Sequence, residues 1–381
     1  MIKHLLYLMI LLALPAMAQN KAKEILYVGT FSENDSKGIY VMEFDRNTLN
    51  FKEIQTIHDR KSPSFITIHP NKKYLYAAYR EGTGDQDPNG TVIAYVIKSD
   101  NGELEKINEV SSRGAGPCHI SVDPAGSTVF VSHYQGGNLA SFKILDNGGI
   151  SEAASFIQHE GSSKHPERQA GPHMHSMIPS RDGQFVYASD LGLDKIMIYR
   201  LTPSESTLSL ATPSYAGSAA GAGPRHFVIH PHLPYAYSVE ELSNTVAIFK
   251  VDPQSGALSP IDRVNMLSDQ IRTDFNAAAD IHISKNGKWL YASNRGQNNL
   301  ACYEINSKNG TLTLKGHIDS GGEHPRNFKI DDKGEFVFVA NMNSDNVVVF
   351  SHDPQTGMLT PTGKSIHIPR AVCVEQLSLD R

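Results

Sequence analysis

Three cysteines in 381 residues, Cys118, Cys302 and Cys373, are too few and too scattered to organise a fold. An odd count excludes a complete disulfide framework and the spacing fits no metal knuckle, which leaves them as small buried apolar residues. Positive charge is not in excess. The 35 Lys and Arg stand against 40 Asp and Glu, a formal net charge of −5, so no nucleic-acid partner is expected. The apolar run Leu5 to Leu14 is too short for a stable membrane anchor. No Gly-x-Ser-x-Gly elbow occurs, so a serine acyl-enzyme has no motif behind it.

What is present begins with an address. Lys3, the apolar run and Ala16-Met17-Ala18 follow the order of a secretory signal peptide, with Gln19 opening the mature chain. No cysteine follows the apolar run to carry a lipid. The reading is a signal peptide over 1–18 and a single domain over 19–381, periplasmic or secreted.

That domain repeats. Similar segments start at Pro63, Pro117, Pro172, Pro224, Ala278, Pro325 and Pro369, roughly 44 to 55 residues apart, near the length of a four-stranded propeller blade. Each opens a period-2 apolar run. A second run follows, such as Tyr74–Tyr79 or Thr128–His133, then a third, such as Thr91–Ile97 or Asn138–Ile144. Turn signals such as Asn101-Gly102 and Asn309-Gly310 introduce a fourth. The N-terminal segment offers Ile25–Val28, Gly38–Val41 and Lys52–Ile54 but no first strand, and Pro369–Val374 offers a first strand with nothing after it. Joined, they predict an all-β, seven-bladed propeller of four-stranded antiparallel blades, closed by both chain ends in one blade and left with few free sheet edges.

In such a blade the start of the first strand and the turn between the second and third lie on one face. That arithmetic gathers Cys118/His119, His173/Met174/His175, Arg225/His226, Ala279/Asp280, Arg326/Asn327 and Arg370 with Asp190, Glu240-Glu241 and Arg295 over one axial mouth. Arg225, Arg295, Arg326 and Arg370 suit a carboxylate or phosphate, although arginines at a mouth can also pair with acids and only hold blades together. His173 and His175, two apart on a strand, could face one ligand. Acid–base work, substrate binding, a structural role and metal ligation all remain open for them, with His119, His226 and Glu241 as third metal ligands by topology alone.

Arg168-Gln169, Gly171-Pro172-His173-Met174-His175-Ser176, Asp190-Leu191-Gly192, Gly223-Pro224-Arg225-His226, Glu241-Leu242-Ser243 and His324-Pro325-Arg326-Asn327-Phe328 resemble the lactonase family of seven-bladed propellers. That family includes propeller-type 6-phosphogluconolactonases and is similar to the carboxy-muconate cycloisomerase. The resemblance implies a cofactor-free carboxylic ester hydrolase acting on a sugar or acidic lactone. It places catalytic groups at His175, Arg225, Glu241 and Arg295, with Glu241 or His175 as base. Substrate binding falls to His173, His226, Asp190, Arg326 and Arg370. Glu240 stands where the family often has Asn, and a second inward carboxylate there would raise the pKa of its neighbour. Export is unexpected for an enzyme of cytoplasmic sugar phosphates and points to a different lactone. A cycloisomerase, a metal-dependent lactonase and a non-catalytic ligand-binding propeller are the other readings.

Overall fold

A computed structural model describes residues 23–33, 35–82 and 88–379. The proposed signal peptide lies outside them. Seven four-stranded antiparallel sheets form a closed ring. Blade 1 joins Lys23–Thr30, Ile39–Asp45 and Asn50–Ile57 to the C-terminal strand Ala371–Leu379, which is its innermost. Blades 2 to 7 follow in order, beginning with Pro63–Ile68, Pro117–Val122, Met174–Pro179, Pro224–Ile229, Ala278–Ile283 and Pro325–Ile330. The predicted closure is therefore present, and the C-terminal strand runs on to Leu379, pairing with Lys23.

The core is divided among the junctions. Seven apolar clusters each bridge two neighbouring blades: Tyr27 and Tyr95 join blades 1 and 2, Phe185 and Phe249 blades 4 and 5, Leu26 and Phe338 blades 7 and 1. A second strand buried on both faces fits this arrangement, as in Trp289–Asn294 with all six residues buried. All three cysteines are free and buried, as expected. Histidines at the ends of innermost strands tie blades together: His69 Nε2 lies 3.1 Å from the Gly126 carbonyl and His230 Nε2 2.9 Å from that of Gly287. Among the described residues no helix is long and apolar enough to cross a membrane.

Candidate active site

Two positions of the repeat supply the mouth. The first is a bulge. In each innermost strand the pairing slips just after it begins, leaving Ser64, Cys118, His175, Arg225, Arg326 and Val372 out of register, and Ala279 with Asp280 in blade 6. A bulged residue is freed from the ladder and re-aimed. The second position is the residue just past each second strand: Phe31, Arg80, Tyr134, Leu191, Glu241, Arg295 and Met342. The turn that follows is pinned to the next blade. Asp194, Asn244, Asn298 and Asp345 sit at φ 53–57°, a left-handed conformation Asn and Asp tolerate. Their side chains accept from the N–H of Gly223, Ala278, His324 and Arg370 at 2.7–3.0 Å, fixing where each bulge begins.

These residues enclose a cavity of about 230 Å³, lined by Phe31, Ser64, Arg80, Cys118, Tyr134, Arg168, His175, Glu241, Arg295 and Arg326 with Pro117. Glu241 is the one acid of that lining. Its Oε1 accepts from Arg168, and its Oε2 accepts from Arg225 Nε at 3.0 Å and pairs with Arg295 Nη2 at 2.8 Å. Burial alone would raise its pKa; Arg295, Arg225 and Arg168 overcome that and hold the carboxyl far below its usual range. Arg225 is buried, donates to the Ala279 carbonyl at 2.6 Å, and is pushed down to about 10 by burial and by Arg295.

Among the described residues, Arg80 and Arg326 pair with no acid. The guanidiniums of Arg80 and Arg326 each lie 5.1 Å from the ring centre of Phe31. Burial, Arg225 and Arg295 all work against charge on Arg326. Burial, Arg225, His226 and Arg326 likewise hold His175 well below the ordinary imidazole value, so its ring is neutral at pH 7. Cys118 Sγ lies 3.9 Å from His175 Nδ1, and burial pushes the thiol up to about 11.

His175, Arg225, Glu241, Arg295 and Arg326 therefore come together, all but Arg225 on the cavity lining, and the other expected site residues lie off it. His173 lies before the strand rather than two residues along it. Met174 takes the pairing position that proline holds in blades 2, 3, 5 and 7, so only His175 reaches the bulge. His173 instead stacks on Tyr134, centroids 4.4 Å apart, with Nδ1 2.7 Å from the Tyr134 carbonyl. Asp190 is fully buried: Oδ1 accepts from the N–H groups of His173, Gly192 and Leu193, and Oδ2 lies 2.7 Å from His159 Nδ1. Arg370 stands at the rim, paired with Glu33 at 2.6 Å and Asn343 at 2.9 Å. Glu240 turns away to Arg263 and Thr245, both at 2.6 Å, so it does not raise its neighbour, whose pKa falls.

His226 faces a second chamber deeper in the channel, about 380 Å³. Its Nδ1 is 2.7 Å from Asp280 Oδ1, while Asp280 Oδ2 accepts from Asn327 at 2.6 Å and lies 3.0 Å from His282 Nε2. Among the described residues no three His, Cys, Asp or Glu side chains are arranged to hold a metal ion. Sequence reasoning overlooked Phe31 and Arg80, and left Arg168 out of the site. The first two occupy the same repeat position as Glu241 and Arg295, a signal that was available.

A family model for the seven-bladed β-propeller lactonases matches residues 25–376. A 6-phosphogluconolactonase of Bacillus subtilis is 33% identical over 355 residues, covering 93% of this chain and 99% of that protein. One of Formosa agariphila is 34% identical over 338 residues, covering 88% and 94%. Among solved structures, a periplasmic gluconolactonase of Pseudomonas aeruginosa superposes with a TM-score of 0.87 at 29% identity, covering 94% of this chain and all of that one.

Proposed function

The chain belongs to the lactonase family of seven-bladed β-propellers and is a lactone hydrolase; from that premise we propose that the 230 Å³ mouth cavity opens a sugar lactone bearing an anionic group. The observation that carries this reading is a charge imbalance. Among the described residues, five guanidiniums, of Arg80, Arg168, Arg225, Arg295 and Arg326, gather about one carboxylate. Three are neutralised in part by Glu241. Arg80 and Arg326 are left for a phosphate or carboxylate on the substrate, with the Phe31 ring between them as a platform.

Lactone opening needs a base for water, donors for the oxyanion and a grip on the ring. Glu241 is a poor base, because three guanidiniums stabilise its ionised form and occupy both oxygens; its part is to aim Arg168 and Arg295. His175 is neutral and lines the cavity, so it can take the proton from the attacking water. Burial and the arginine field weaken it as a base in the empty site, and a bound anion would offset the field's part and raise its pKa. Arg295, on the cavity wall, is placed for the developing oxyanion, and Arg225 supports it from beneath. Water adds to the carbonyl carbon, the ring C–O bond breaks, the alkoxide is protonated and the acid leaves as its carboxylate.

The test compares initial rates above spontaneous hydrolysis for gluconolactone and its 6-phosphate, with wild type and Arg80→Met/Arg326→Met. Loss of the preference for the phosphorylated ring in the variant supports the reading; equal use of both by wild type overturns the anion subsite. Export is a further part of the proposal, supported by the N-terminal pattern and by the periplasmic relative. Fractionated cells should hold a chain beginning at Gln19 outside the cytoplasm.

A further inference from the structure

Two blades carry nearly the same turn on the face opposite the mouth: Asp252-Pro253-Gln254-Ser255-Gly256 in blade 5 and Asp353-Pro354-Gln355-Thr356-Gly357 in blade 7. Each leans on the preceding blade, and the two junctions differ. At the junction of blades 6 and 7, Trp289 Nε1 donates to the Pro354 carbonyl at 3.1 Å and Asn286 Nδ2 to the same oxygen at 2.7 Å. The Tyr291 hydroxyl donates to the Gly357 carbonyl at 2.6 Å. Three hydrogen bonds and an indole close the gap.

At the junction of blades 4 and 5 the equivalent residues are Phe185, Asp182 and Tyr187. Phe185 has no N–H. The Asp182 carboxylate accepts from Ser180 Oγ at 2.5 Å and Gln184 N at 3.1 Å, and it cannot donate to Pro253. Tyr187 is fully buried and its hydroxyl has no partner. The matching hydroxyls of Tyr27, Tyr76 and Tyr237 all reach a glycine carbonyl of the next blade, at 2.8–3.0 Å. Beside this untied turn lies a cavity of about 460 Å³, walled by Phe185, Tyr187, Ile229, Leu233 and Val251 with Pro253 on its border. Its volume and mostly apolar wall are those of a small-molecule site.

We propose that this notch binds a flat aromatic small molecule carrying a ring N–H, an indole-type ligand. Its ring covers the apolar wall and its N–H donates to the Pro253 carbonyl. The chemistry is read from blade 6, where an indole on the same framework makes that contact with an equivalent turn. The site lies at the far end of the blades from the lactonase cavity and shares no residue with it.

Titration calorimetry of the mature protein with indole, and with benzofuran as the isostere lacking the N–H, tests the proposal. Indole should bind saturably at one site and benzofuran about tenfold more weakly, the value of one hydrogen bond. Phe185→Trp with Asp182→Asn rebuilds the closed junction and should abolish indole binding while lactone opening is unchanged. No saturable indole binding, equal binding of benzofuran, or undiminished binding by the double variant would each overturn it. Should the double variant not fold, Asp182→Asn alone sets a competing donor on the same carbonyl. It should weaken indole severalfold, and an unchanged affinity would equally count against the site.

Discussion

The axial channel holds two polar chambers with opposite charge logic. In the deep chamber both acids are paired: Asp280 takes His226, His282, Asn327 and the Phe328 N–H, and Glu375 pairs with Lys329 at 2.6 Å. In the mouth chamber the arginines of the lining outnumber its acid, and among the described residues Arg80 and Arg326 have only the face of Phe31. A paired chamber holds the ring of blades together. An unpaired one keeps its field for a ligand, and that field adds to burial in depressing the basicity of His175 and Arg326.

That contrast can be broken in order of size. His175→Asn removes the proposed base and should lower kcat/KM by about a thousandfold, a typical value for general base catalysis, with thermal stability near wild type. Near-normal turnover would transfer the role to another group. Asp280→Ala, in the paired chamber, should do the reverse. It strips a buried hub of its partners and should cost about 3–5 kcal/mol in urea unfolding, while the kcat of the protein that remains folded is retained; an unchanged midpoint would mean that the deep network does not hold the blades. Arg326→Met should raise KM for an anionic lactone by about thirty- to a hundredfold, the worth of a charge-assisted contact, and leave a neutral lactone little affected. Equal effects on both would make Arg326 structural.

The smallest effect is on pH. His119, His133, His175 and His226 are all held below the ordinary value, mainly by burial, with His133 and His226 down at about 4. The unfolded chain binds protons near pH 6.5 while the folded one resists. Stability is therefore full above about pH 6.5 and declines as pH falls toward 4. Urea midpoints across that range should show it, and a flat profile would mean these rings are protonated in place. The free-enzyme profile, kcat/KM, should persist below pH 6.5 on its acid side, since His175 stays neutral there until substrate binds.

Much of this was legible because a propeller is written as a repeat. The period set the blade count, and the orphan strands Ile25–Val28 and Pro369–Val374 identified their own partnership. His175, Arg225, Glu241 and Arg295 were reachable by face arithmetic because they occupy fixed positions in their repeats. His173 was misjudged for a local reason: the proline before it looks like those that open other blades, while the pairing begins at Met174. Asp190 and Arg370 are on the right face, yet their hydrogen bonds lie with a turn and with Glu33. No pattern in one dimension distinguishes a carboxylate that caps backbone from one that faces a ligand.

The order of strands, their closure through the two ends and the face on which polar residues gather follow from sequence alone, because alternation and turn chemistry act over a few residues. Which arginine is neutralised and which stays open was decided by tertiary structure. Glu241 can satisfy only those guanidiniums that the closed ring brings within 3 Å of its two oxygens, and that distance is a property of all seven blades together.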